Sequence, residues 1–255
     1  MYVPAHFAPD AAQVDELLRN HGAADLVTLT EQGLVATMLP FIYVPPAESA
    51  SARPLGALHG HLARNNVQWK LDSAGEALAI VRGPDAYISP GWYASKAEHG
   101  RVVPTWNYVT AHVYGRFVVH DDPDWTEDLV RRLTTKHEAH LDHPWSVDDA
   151  PRPFIEGQLR AIVGVELEIT RIEAKAKLSQ NRPPADVEGV IAGLRELGDK
   201  EMANAVEQAQ RELRVNSARD VRKARPRAQG ELFLHVVRNL RVVQIFPIPL
   251  FGGAA

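Results

Sequence analysis

The stretch "VPTWNYVTAHVYG", Val103 to Gly115, constrains the chain more than any other, because it alternates with the two-residue period of a strand. One side carries Thr105, Asn107, Val109, Ala111 and Val113; the other carries Trp106, Tyr108, Thr110, His112 and Tyr114. The first side is small and mostly apolar, which suits the interior of a tightly curved sheet. The second combines rings with polar tips, and what it faces is the functional question.

The neighbouring sequence supplies further strands. "DLVTLTEQGLVATMLPFIYVPP" reads as a hairpin, Asp25 to Thr30 and Leu34 to Val44, turning at Gln32-Gly33 and ended by Pro45-Pro46. "LGALHGHL" is a third strand, and "EALAIVRGPDAYISP" gives one or two more, broken at Gly83-Pro84. The long strand continues to about Val119 with a bend at Gly115. "GVELEITRIEAKAKLS" is the last clear strand, with Val165, Leu167 and Ile169 on one side and Glu166, Glu168 and Thr170 on the other.

Helices fill the margins. Asp10 and Gln13 have capping-box spacing ahead of Val14, Leu17 and Leu18, with Gly22 as a stop. A second helix from about Pro123 to Leu141 buries Leu129, Val130 and Leu133, and a short one fits "PFIEGQLRAIV". Asp186 to Leu197 and Asp199 to about Leu213 form a hairpin bent at Gly198. About six strands without strand-helix alternation predict a mainly β, α+β fold: an antiparallel barrel with peripheral helices rather than a doubly wound sheet.

The 255 residues include no Cys, which excludes disulfides, thiolate nucleophiles and Cys-based metal centres. A net charge of -4 gives no whole-protein field for nucleic acid. No apolar run reaches membrane-spanning length and no secretory signal opens the chain, so a cytoplasmic protein without a membrane partner is expected. Neither G-x-G-x-x-G nor G-x-x-x-x-G-K-[ST] occurs.

Three polar clusters adjoin strand ends: "GHLARNN" with His61 and Arg64, "PTWNY", and "KAKLSQNR", where Lys175, Lys177 and Arg182 surround Ser179, Gln180 and Asn181. Separately each reads as a surface charge or a turn. Together they offer cations for a phosphate, flat apolar contacts, and amide or hydroxyl groups for a ring edge, as a phosphorylated aromatic ligand requires.

"MYVPAHF", "GHLARNNVQW", "VPTWNYVTAHVYG", "AIVGVELEI" and "KAKLSQNR", in that order, resemble the PaiB-type family of FMN-binding negative transcriptional regulators, from Met1 to about Gln210. The resemblance implies a six-stranded antiparallel split β-barrel over residues 1–183, with a C-terminal helical hairpin at 184–213, binding FMN between two subunits of a homodimer. It implies that His61, Arg64 and Asn66 lie near the ribityl phosphate, and that Lys177, Ser179, Gln180 and Arg182 approach the same ligand or its dimer-related copy. Thr37, Met38, Leu39 and Pro40 would line the ring, and Thr105, Trp106 and Asn107 its edge.

Two features depart from the family. Val67 stands where proline is expected, and the chain beyond about Arg211 is unlike it. Residues 211–241 hold nine Lys or Arg against three Asp or Glu, and an apolar end follows, so 214–255 is an atypical tail: a DNA-contacting arm, a docking segment or an unrelated extension. "KHEAHLDH" lacks the i, i+4 pair of H-E-x-x-H and reads as a solvated or dimer-facing helix end. "VIAGLRELGDKEMANAVEQAQ" imitates a helix-turn-helix, but Asp199 and Glu201 at its second helix would repel phosphate. DNA is therefore a partner without an identified reader. A flavin-dependent oxidoreductase, pyridoxamine phosphate oxidase-like or flavin reductase-like, and a partner-binding module that has lost its cofactor remain the competing readings.

Overall fold

In the computed structural model, seven strands pair antiparallel throughout into one sheet, in the order β2-β1-β5-β6-β7-β4-β3. The structure describes residues 1–46 and 54–224, with the backbone alone for 216–224. The strands are β1 (Ala24–Thr30), β2 (Gly33–Leu39), β3 (Ile42–Val44), β4 (Ala57–Ala63), β5 (Ala77–Ile88), β6 (Thr105–His120) and β7 (Ile162–Lys177). The helices are α1 (Ala11–Asn20), α2 (Ser95–His99), α3 (Pro123–Glu138), α4 (Arg152–Arg160), α5 (Pro184–Glu196) and α6 (Lys200–Ala224).

The expectation of a six-stranded barrel is corrected in two respects: there are seven strands, and the sheet is not closed. The expected strand Leu34–Val44 is two strands. Pro40, which has no N–H to give a ladder, ends β2; β3 then leaves β1 behind and pairs with β4 on the far edge, Ile42 opposite His59. β2 and β4 approach one another but share no ladder. There Gly60 faces Leu39 and Phe41 so closely that an added Cβ would lie 2.9 Å from both side chains.

β5 runs unbroken from Ala77 to Ile88, with the Gly83-Pro84 interruption absorbed as a register shift between Arg82 and Asp85. The bend at Gly115 is present as a shift in the β6–β7 ladder. A Cβ there would stand 2.2 Å from the Glu168 carbonyl, so only glycine permits the approach.

The inward side of β6 is as its alternation predicts: Asn107, Ala111 and Val113 are fully buried. With Leu26, Leu58, Val81, Val165 and Leu167, Ala111 and Val113 form the main core, which α1 covers through Val14, Leu17 and Leu18. A second core joins Ile88 and Leu178 to Val187, Val190 and Leu194 of α5 and Met202 and Val206 of α6. A third, small one lies beneath α4.

The capping box at Asp10 and Gln13 is formed, and α1 stops at Asn20, ahead of Gly22. α6 continues past the expected end near Leu213 to Ala224. Met1–Val215 is one compact unit; the expected tail lies outside the described residues beyond Ala224. Among the described residues no helix is long and apolar enough to cross a membrane.

Candidate functional site

The fourteen expected ligand contacts fall into two groups. β4 meets β7 at the Ile162 end, with Ala63 opposite Ile162, whereas Lys177 ends β7 opposite Tyr108. His61 and Arg64 therefore lie beside the start of β7 and Lys177 at its end, about 50 Å of strand apart at ~3.3 Å per residue, whereas Thr37, Met38 and Leu39 stand in rows that reach β7 at Ile172, Glu173 and Ala174, near the Lys177 end.

The first group sits around β2 and the turn after β4. Thr37 points inward and its hydroxyl accepts from Asn66 Nδ2 at 3.0 Å, while Asn66 Oδ1 accepts the Gln68 amide. Leu39 is buried and Met38 projects outward, 71% exposed. His61 stands opposite Gly164, its Nδ1 buried without a partner and its pKa lowered by burial. Arg64 is committed within the chain. Its guanidinium forks onto both oxygens of Asp121, at 2.7 and 3.2 Å, and also donates to the Arg160 and Ile162 carbonyls. In return Arg64 holds the Asp121 carboxyl below its usual range.

The second group surrounds the start of β6 and the end of β7. Lys177 Nζ donates to the Trp106 carbonyl at 2.8 Å and to the Thr105 hydroxyl. Asn107 Nδ2 donates to Ser179 Oγ at 3.0 Å, and Ser179 takes a left-handed φ of 63° to turn the chain. Gln180 braces that turn, accepting from the Leu178 amide and donating to the Ala176 carbonyl. Arg182 lies over the Tyr93 ring, 4.4 Å from its centroid. Trp106 is half exposed, edge-on to Tyr87 and hydrogen-bonded to Asp85.

The two ends differ in charge balance. Lys175, Lys177 and Arg182 carry no ion pair to a carboxylate among the described residues. Burial, and then repulsion from Lys175 and Arg182, holds the Lys177 ammonium below the ordinary lysine pKa. Cations crowded together without a counter-ion suit an anion. The exposed Trp106 and Tyr87 rings beside them suit a flat apolar body, so this end fits a phosphorylated aromatic cofactor. At the other end the orphaned His61 Nδ1 leaves a polar atom for a ligand, but Arg64 is already neutralised.

Sequence reasoning missed a polar cluster on the sheet side facing α3. Glu166, on the strand side opposite Val165 and Leu167, is 1% exposed; His120 Nε2 lies 2.8 Å and His59 Nε2 3.4 Å from its two oxygens. Arg132 donates to His59 Nδ1, so the His59 proton sits on Nε2, toward Glu166. Trp125 stacks on His120 with ring centroids 4.1 Å apart. The signal was present: α3 needs a sheet face to cover, and that face is the one bearing Glu166.

Residues 1–171 match the family profile described as "Putative FMN-binding domain". The chain belongs to this FMN-binding family. FMN is the cofactor that membership gives it. The curated relatives include the "Protease synthase and sporulation protein PAI 2" of Bacillus subtilis, 32% identical over 82% of this chain and 95% of that protein. An uncharacterised protein of Emericella nidulans is 30% identical over 78% of this chain and 92% of its own. Among solved structures, a conserved hypothetical protein of Mycobacterium tuberculosis aligns with a TM-score of 0.48 at 11% identity, over 72% of this chain and 94% of that one. The flavocytochrome Anf3 of Azotobacter vinelandii aligns with a TM-score of 0.45 at 14% identity, over 69% and 72%.

Proposed function

We propose that this family member works as a homodimeric flavoprotein of the split-barrel type, with FMN held where the cationic end of one copy meets the outer sheet face of the other. The observation that carries this reading is that His61 and Arg64 sit at the opposite end of β7 from Lys177. About 50 Å of strand divides them in one chain, whereas a second copy laid antiparallel on the first would bring His61 of one protomer toward Lys177 and Arg182 of its partner. The outer face suits such a contact. Met38, Asp25, Ile80, His112 and Glu173 form one row across five strands, and Leu29 and Leu34 beside it are exposed.

FMN supplies reversible one- and two-electron chemistry when bound. The residues at the cationic end serve to bind and orient. Lys177 and Arg182 set charge against the phosphate, and the Asn107–Ser179–Gln180 turn fixes their backbone. Trp106 and Tyr87 give apolar contact beside them.

For its role, the reading is negative transcriptional regulation, which rests on the PaiB-type resemblance. The second reading, a flavin-dependent oxidoreductase, is favoured by one feature. In the α5–α6 hairpin Met202 is buried against the second core and Glu201 is exposed beside Lys200, so the opening turn of α6 sets acid toward solvent, which weighs against it as a DNA-reading helix.

Purified untagged protein should be yellow and release FMN identifiable by mass. Lys177→Ala or Arg182→Ala should weaken FMN about tenfold or more, whereas Arg64→Ala should act chiefly on thermal stability. Equal FMN affinity in all three variants would remove the cationic end from the site. A regulator should hold one promoter fragment against competitor DNA with strong salt dependence, and a chain ending at residue 215 tests whether the basic tail is the reader. Saturable oxidation of NADH or NADPH faster than free FMN supports would decide for the enzyme.

A further inference from the structure

Arg182 is held at both its ends while its charge stays free. Its backbone N–H donates to the Ser179 carbonyl at 3.0 Å, closing the turn that Ser179 begins, and Pro183 and Pro184 then lead into α5. Its guanidinium lies over the ring of Tyr93, with Cζ 4.4 Å from the centroid. Tyr93 is 3% exposed and belongs to the second core with Ile88, Leu178 and Val187, so the ring is a fixed platform. A ring face attracts a guanidinium without occupying its N–H donors, which stay in the guanidinium plane for an anion.

The acid that could neutralise this cation is committed elsewhere. Asp186, in the first turn of α5 and 1% exposed, accepts the Ser95 amide on Oδ1 at 2.9 Å and the Ser95 hydroxyl on Oδ2 at 2.8 Å. Burial raises the Tyr93 phenol pKa, and Arg182 and Asp186 act on it with opposite sign, which sets both charges beside the one ring. Ser95 nevertheless holds the carboxylate, and the guanidinium is left to the ring. Arg64 shows the alternative: its fork is filled by Asp121.

We propose that Tyr93 is a positioning residue for the flavin phosphate, its ring setting the Arg182 guanidinium so that the site selects the phosphorylated flavin over the unphosphorylated one. This rests on the flavin site proposed above and adds to it the group that tells FMN from riboflavin. Lys177 brings charge to the same end, but its ammonium is a point charge already donating to Thr105 and Trp106. The planar fork of Arg182 matches phosphate oxygens in pairs.

Fluorescence titration of the full-length, flavin-stripped protein with FMN and with riboflavin tests this through the ratio of the two dissociation constants. Wild type should prefer FMN about tenfold or more, and Arg182→Ala should lose most of that preference. Tyr93→Leu should cut the preference about threefold or more with riboflavin affinity unmoved, and Tyr93→Phe, which restores the ring, should bring it back. Loss of packing alone would weaken both flavins together, so the ratio separates positioning from stability. Adding Tyr93→Leu to Arg182→Ala should change the ratio no further. If Tyr93→Leu fails to fold, Arg182→Lys decides, since it keeps the charge without the planar group and should lose about threefold or more of the preference. A wild type that binds both flavins equally, or an Arg182→Ala protein that keeps the preference, would overturn the phosphate reading at Arg182 and this inference with it. A folded Tyr93→Leu protein that keeps the preference while Arg182→Ala loses it, a Tyr93→Phe protein that falls as far as Tyr93→Leu, or an Arg182→Lys protein with the full preference would overturn the inference alone.

Discussion

Gln68 shows how much one side chain carries in this fold. It is fully buried, and its amide nitrogen donates to the Leu26 carbonyl, the Thr28 hydroxyl and the Val35 carbonyl, tying the turn after β4 to β1 and β2. Gln68→Met keeps the shape but strands those acceptors, and should lower the unfolding free energy by about 1–3 kcal/mol in a urea titration. His21 gives a pH prediction. Its pKa falls from 6.5 when unfolded to about 4 when buried, so the unfolded chain binds the extra proton first. Its contribution is complete above pH 6.5 and is lost as pH falls toward 4, by up to about 1.4 kcal/mol per unit. His21→Asn should flatten that slope relative to wild type in paired denaturation curves. Neither role was visible beforehand: Gln68 reads as one more polar residue in a turn, and no local pattern reports that a histidine after a helix will be buried by the tertiary fold.

Among the elements, those with local signals were legible. The capping box of α1, the inward face of β6 and the bend at Gly115 follow from short-range pattern and one special residue. β3 was not, because a three-residue strand after a proline has nothing in its own sequence to say which edge it will join; its partner lies in β4. The same distinction separates the site residues. Asn107, Ser179 and Lys177 meet because β6 and β7 are paired in register, whereas the commitment of Arg64 to Asp121 depends on two loops far apart in sequence. The packing of α5 offers a sharper test of element contact. A Cβ on Gly189 would lie 1.9 Å from the Trp92 carbonyl oxygen, so the helix touches backbone. Gly189→Ala should cost about 1–3 kcal/mol despite its gain in helix propensity, read as a lower melting temperature with FMN binding reduced only in step with unfolding.

For the molecule as a whole, the outer sheet face makes the strongest prediction. Met38→Lys places a charge on an exposed side chain, costing the isolated chain little, but it should split the proposed dimer and reduce flavin content together, as measured by sedimentation and absorbance on one sample. An unchanged dimer with full flavin would place the contact elsewhere. The open side of the sheet has a consequence for motion as well. Between β2 and β4 no ladder runs; the junction is fastened by Leu39 and Phe41 over Gly60 and by the amides of Asn66 and Gln68. Side-chain fasteners release singly, without the cooperativity of paired backbones. Breathing of the sheet should therefore begin at this flap, and hydrogen exchange should reach the amides of β2 well before those of β6.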